Sequence, residues 1–120
     1  MVVRITNKSR NTIISLKAGL ADSPFSRLIG LLNRKSLSSE EALIITDCRA
    51  IHMFFMKFPI DAIFVDKNNK VVGLVRNIRP FQLSPYFIRA TKVIEACPGI
   101  VDGTETAVGD ELVFSEIARS

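Results

Sequence analysis

A chain of 120 residues and 13.3 kDa has room for one domain and one core, so a separate cofactor domain beside a substrate domain is excluded. Area scaling gives roughly 6,500 Å² of folded surface against about 19,000 Å² unfolded, enough burial to hold without staples. Hydrophobic residues at 48% and charged residues at 23% exclude disordered, collagen-like and low-complexity classes. The net charge of +4 is uneven: seven bases and two acids in residues 1–40, six and four in 41–80, three and six in 81–120. The early bases Arg4, Lys8, Arg10, Lys17, Arg27, Arg34 and Lys35 are scattered, which fits a solvated face better than a nucleic-acid footprint.

In chain order, Val2 to Thr6 and Thr12 to Leu16 are rich in β-branched residues and flank a polar stretch, predicting a hairpin. Ser23-Pro24 supplies a helix cap and a first helical position, and Phe25, Leu28, Ile29 and Leu32 repeat as one apolar face ending near Asn33. Such a helix is expected to lie as a lid on a barrel or sandwich. Ala42 to Thr46 predicts a short strand, and Ala50 to Ile60 a longer one broken only by His52 and Lys57. Asp61 to Asp66 and Val71 to Ile78 flank Lys67-Asn68-Asn69-Lys70, where asparagine tolerates the positive φ of a tight turn. Pro80 to Arg89 is a loop, Thr91 to Cys97 and Glu111 to Ile117 are strands, and Pro98-Gly99, Asp102-Gly103 and Gly109-Asp110 are turns. The expected fold is mainly β: a compact antiparallel barrel or small sandwich of about seven strands with one or two short helices, one domain spanning 1–120. Parallel βαβ layering is excluded because a single crossover helix is available.

The segment from Asp47 to Asp61 concentrates the candidate functional groups. In an extended chain His52, Phe54, Met56 and Phe58 share one face, and Ile51, Met53, Phe55 and Lys57 the other. Lys57 and Asp61 are expected either to pair as a structural ion pair or to leave the ammonium at a pocket mouth, where it binds a carboxylate or phosphate beside a wall of Phe54, Phe55 and Met56. His52 is the sole histidine and so the one side chain that titrates near neutrality unperturbed. No nucleophile motif surrounds it. Cys48 and Cys97 lack CxxC spacing and read as small core residues, with one cross-strand disulfide as the alternative. No metal site and no cofactor are expected, because no close ligand spacing is present and Gly99, Gly103 and Gly109 precede no lysine-serine pair.

The runs Gly30-Leu31-Leu32-Asn33-Arg34-Lys35-Ser36-Leu37 and Cys48-Arg49-Ala50-Ile51-His52-Met53-Phe54-Phe55-Met56-Lys57-Phe58-Pro59-Ile60-Asp61 resemble the prokaryotic domain of unknown function 192 family. Val93-Ile94-Glu95, Pro98-Gly99 and Gly109-Asp110-Glu111-Leu112 are similar to that family's closing strand pair. The resemblance implies a compact mostly β fold and a shared polar cluster of His52, Lys57 and Asp61. It implies no reaction. Met53 and Phe55 stand where the family often has smaller or more polar residues, and Val101 to Thr106 is looser than the helical turn expected before Gly109.

The first functional expectation is a small non-enzymatic binding or accessory domain whose cleft, built from His52, Phe54, Met56, Lys57 and Asp61, takes a small anionic ligand or peptide carboxylate. The second is a hydrolase or lyase with His52 as base, Lys57 as electrostatic stabiliser and Asp61 as orienter. RNA binding through the basic N-terminal third is the third. No apolar run approaches a membrane span, and Met1-Val2-Val3-Arg4 leads into polar sequence, so the chain is expected to be soluble and cytoplasmic.

Overall fold

Strands that are apolar on both faces belong in the middle of a sheet covered on both sides, and Ala42-Leu43-Ile44-Ile45 and Ala62-Ile63-Phe64-Val65 read that way. The computed structural model, which describes residues 2–21, 34–54 and 56–117, places them there. Seven strands form one sheet: β1 Val2–Asn7, β2 Thr12–Ala21, β3 Glu41–Thr46, β4 Ile60–Val65, β5 Val71–Ile78, β6 Lys92–Ala96 and β7 Leu112–Glu116. Their order is β5-β4-β6-β3-β2-β1-β7. Among the described residues one short helix, α1, runs from Ile100 to Gly103. The sheet curls into a half-barrel. Register shifts between β1 and β2 and between β4 and β5 add the local twist that curling needs. The free edges approach each other through Val71 N donating to Asp110 O (2.9 Å), Gly109 N to Val71 O (2.8 Å) and Leu112 N to Asn69 O (2.8 Å).

The mainly β expectation and the strand count hold, and the β4–β5 hairpin turns at Asn69, whose φ is +62°. One pairing departs from the antiparallel expectation: β2 and β3 run parallel, Lys17 to Ala21 against Glu41 to Ile45. The chain between them is long enough to cross the sheet, so a single crossover suffices for a single parallel pair. The helix expected at Ser23 to Asn33 lies outside the described residues. Where Val101 to Thr106 reads as loose, the structure forms α1.

Inside the curl, Val3, Ile5, Ile14, Ala18, Ile44, Ile63, Val65 and Ile94 pack with Val101 of α1. On the outer face of β3, β6 and β4, Ile45, Ala62, Phe64 and Val93 pack under Ile51, Met53 and Met56. The segments 48–59 and 79–91 cover that face as a second layer. They are tied together by Met53 N to Gln82 O (2.8 Å), Phe81 N to Met53 O (2.8 Å), Ser84 N to Ile51 O (2.9 Å) and Phe87 N to Arg49 O (2.8 Å). Gly73 permits this layer to seat: a Cβ there would land on the Phe87 ring, which lies 4.5 Å from the Phe64 ring. Among the described residues no helix is long and apolar enough to cross a membrane.

Candidate functional site

The long strand expected at Ala50 to Ile60 does not form. Ile60 begins β4, and of the other described residues in that stretch only His52 makes a bridge, to Leu83, while Met56 N donates to Met53 O (3.2 Å), closing a turn that reverses the face on which successive side chains fall. Met56 is therefore buried with Ile51 and Met53 instead of sharing a face with His52 and Phe54. His52 is exposed, its ring stacked on Phe54 at 5.1 Å between centroids, and Phe54 leans on Phe81 at 6.4 Å. Lys57 is exposed beyond the turn.

Asp61 is 1% exposed and turned inward. Its Oδ1 accepts from Asn77 N (2.8 Å), and its Oδ2 from Gly99 N (3.1 Å) and Val101 N (3.0 Å). The carboxylate thus holds the start of α1 onto the sheet and plugs one end of the curl. Asp61 is sealed from solvent and held by three backbone amides, whereas Lys57 and His52 are exposed, and no ion pair joins Lys57 to Asp61. The three ionisable groups read as a cluster divide into two exposed side chains and one sealed clamp. Cys48 and Cys97 are both half-buried thiols that form no disulfide, so the disulfide alternative is not realised. Burial, and then the charge of Asp61, push the Cys97 thiol up, away from a nucleophilic thiolate.

Two groups on β6 were not singled out in the sequence. Strand alternation sends Lys92 into the curl with Ile94 and Ala96, and sends Glu95 to the outer face with Val93. Burial raises the Glu95 carboxyl to about 7. Lys92 sits at the end of the curl opposite α1, where Val3, Leu20, Ile44, Thr46, Phe114 and Glu116 complete a cavity of about 260 Å³. Its ammonium lies 4.6 Å from the centroid of the Phe114 ring and donates to Asn69 Oδ1 (3.0 Å). Burial lowers its pKa, and the charge of Asp66 opposes that only partly. Among the described residues no carboxylate lies within ion-pair distance of it. The signal for both residues was a charge at each end of the Lys92-Val93-Ile94-Glu95 run in a strand that must be central. Among the described residues no cluster of histidine, cysteine and carboxylate side chains is arranged to hold a metal ion.

A remaining polar cluster is structural. Asn7 Nδ2 donates to Thr106 Oγ1 (3.1 Å) and Asp110 Oδ2 (3.0 Å), and Arg10 Nε and Ala107 N donate to the same Asp110 oxygen. Burial works to raise the Asp110 pKa, but the hydrogen bonds from Asn7, Arg10 and Ala107 outweigh it and hold the group below its ordinary value.

With this geometry established, comparison with known proteins adds the following. Residues 4–114 match the model of the DUF192 family, described as Uncharacterized ACR. A UPF0127 protein of Pyrococcus horikoshii is 31% identical over 111 residues, covering 90% of this chain and 96% of the relative. A UPF0127 protein of Thermococcus sibiricus is 31% identical over 112 residues, covering 90% of this chain and 72% of the relative. The crystal structure of a protein of unknown function from Novosphingobium aromaticivorans superposes with a TM-score of 0.80 at 24% identity, covering 94% of this chain and 84% of that one, a likeness of fold.

Proposed function

Because the chain belongs to the DUF192 family, whose members carry no described reaction, we propose from its geometry that it is a small binding domain for a compact anion with an apolar body. The ligand enters the open end of the half-barrel, and Lys92 receives its carboxylate or phosphate. One observation carries this reading: a half-buried lysine lining a largely apolar cavity of about 260 Å³, with a ring and an amide oxygen as its partners and, among the described residues, no carboxylate within ion-pair distance, although Glu116 also lines the cavity. A partly desolvated cation without a direct ion-pair partner bears a cost, and an anionic ligand relieves it. The volume is below the usual range for drug-sized ligands, which favours a small one. Leu20, Ile44 and Phe114 supply the apolar wall.

This places the anion on Lys92 instead of on Lys57. Support for the hydrolase reading is weaker, since Asp61, its orienting group, is engaged by three backbone amides. The test is calorimetric titration with octanoate, benzoate and inorganic phosphate. Octanoate is expected to bind, with affinity at least tenfold weaker in Lys92→Gln and unchanged in Lys57→Gln. Equal octanoate affinity in wild type and Lys92→Gln, or no binding of any of the three, overturns the proposal.

A further inference from the structure

The second layer that covers the outer face has an unusual surface. Residues 48–60 and 78–91 contain Arg49, Lys57, Arg79 and Arg89, together with His52, and not one aspartate or glutamate. All four of these permanent cations are exposed. Five of the nine large apolar side chains exposed among the described residues also lie here: Phe54, Phe81, Leu83, Tyr86 and Ile88. The last four are between 65 and 76% exposed. Single exposed apolar residues need no explanation, but a concentration of them amid charges of one sign does.

Their placement is fixed by the fold. The His52–Leu83 bridge and the stacked His52, Phe54 and Phe81 rings put one group side by side, and the hydrogen bonds between the two segments hold the loop rigidly against β-structure beneath it. Further along the same loop, Tyr86, Ile88 and Arg89 border an open groove of about 590 Å³ that Lys70 also lines. The one carboxylate at that groove, Asp66, accepts from the backbone N–H groups of Asn68 (2.8 Å) and Lys70 (3.0 Å).

We propose that this face docks the protein onto the surface of an anionic lipid bilayer. Charge complementarity selects the occupant. A face whose cations outnumber the carboxylates at its borders, Asp47 and Asp66, suits a surface of lipid phosphates, each basic side chain adding to the attraction within a Debye length. The protruding Phe81, Leu83 and Ile88 enter the boundary between headgroups and acyl chains, where aliphatic as well as aromatic groups gain by leaving water. A single-stranded nucleic acid would use the arginines and the rings but has no use for Leu83 and Ile88. Protein interfaces are enriched in such aromatics but have no comparable need for an excess of cations around them. This inference is independent of the barrel cavity and of Lys92.

The experiment is flotation of the full chain with vesicles of phosphatidylcholine alone and of phosphatidylcholine with about 30% phosphatidylglycerol, whose negative surface attracts basic side chains. The protein is expected to float with the anionic vesicles, to release as salt is raised, and to stay behind with neutral ones. Phe81→Ser combined with Leu83→Ser is expected to lower the bound fraction at least fivefold, as is Lys57→Glu combined with Arg79→Glu. All four side chains are solvent-exposed, so the melting temperature serves as a check that the variants fold. Absence of flotation with anionic vesicles, or flotation that neither double variant alters, overturns the proposal. So does binding to an oligothymidylate or self-association abolished by the same variants while no vesicle is bound.

Discussion

At the residue scale, Glu95 ties the protein's stability to pH. Its carboxyl titrates at about 7 in the folded chain because burial penalises the charge, against an ordinary value of 4.5. The folded state therefore holds a proton that the unfolded chain has released between those values, and folding weakens as pH rises through that window. The stabilising share is complete below 4.5 and gone above 7, a difference of about 3 kcal/mol. Urea midpoints of wild type and Glu95→Gln at pH 5 and pH 8 read this directly. The variant is expected to lose most of the difference between the two pH values and to be the more stable protein at pH 8. An unchanged pH slope in the variant would remove Glu95 as its source. Asp61 poses the opposite case, a charge whose burial is matched by three amide donors. Asp61→Ala leaves those donors facing an apolar gap beside α1 and is expected to cost roughly 3 kcal/mol or more by chemical denaturation. Octanoate binding to the variant that remains folded is expected to persist, since the clamp and Lys92 sit at opposite ends of the curl.

At the element scale, the second layer is seated through one close approach. Gly73 on β5 leaves the space that the Phe87 ring occupies, and that ring packs on Phe64 of the central strand β4. Gly73→Ala is expected to destabilise by about 1–3 kcal/mol, as overpacking of a filled site does. In a Phe87→Leu background the same change is expected to cost clearly less, a coupling that only contacting residues show. Equal cost in both backgrounds would mean that the ring is not what the glycine accommodates. The same layer explains which parts of the molecule were legible in the sequence. The β4–β5 hairpin was, because the Asn68-Asn69 turn and the β-branched runs on either side are local signals. Segment 50–60 was not, because an apolar run looks alike whether it is a central strand or a covering layer, and the turn at Met53 to Met56 reverses the alternation that strand logic assigns. His52 and Phe54 stayed exposed as neighbours, whereas Met56 and Asp61 turned inward for reasons set by distant partners, Asn77, Gly99 and Val101 among them. Lys92 and Glu95 escaped notice for a related reason. A charged residue at a strand end normally marks a solvent face, and only the sheet order shows that β6 lies in the middle of the sheet.

At the scale of the whole molecule, the curl has a closed end and an open one, and the two are built with opposite charge logic. α1 and the amide-saturated Asp61 close one; the other is bounded by apolar strands around Lys92. Along β6 the distance between them is only the strand's own length, so the central strand carries the ligand-facing cation at its start and leads into the plug at its end. A folded-state pKa below the ordinary lysine value means that the fold bears a cost while Lys92 is charged in both states. That cost shrinks as pH rises through the folded pKa and is fully relieved above the unfolded one. Lys92→Met keeps most of the length of the side chain and removes the charge, so it is expected to raise stability at pH 7 slightly, an effect that solvent screening of the half-exposed ammonium keeps small, while abolishing octanoate binding. The two effects must appear together, because the same partly desolvated cation causes both. Octanoate should likewise raise the wild-type melting temperature and leave that of Lys92→Met unmoved, since a ligand stabilises only the state that binds it. A variant that is destabilised and still binds octanoate would show instead that the ammonium serves the packing of Phe114 and Asn69, and that the open end of the barrel receives no anion.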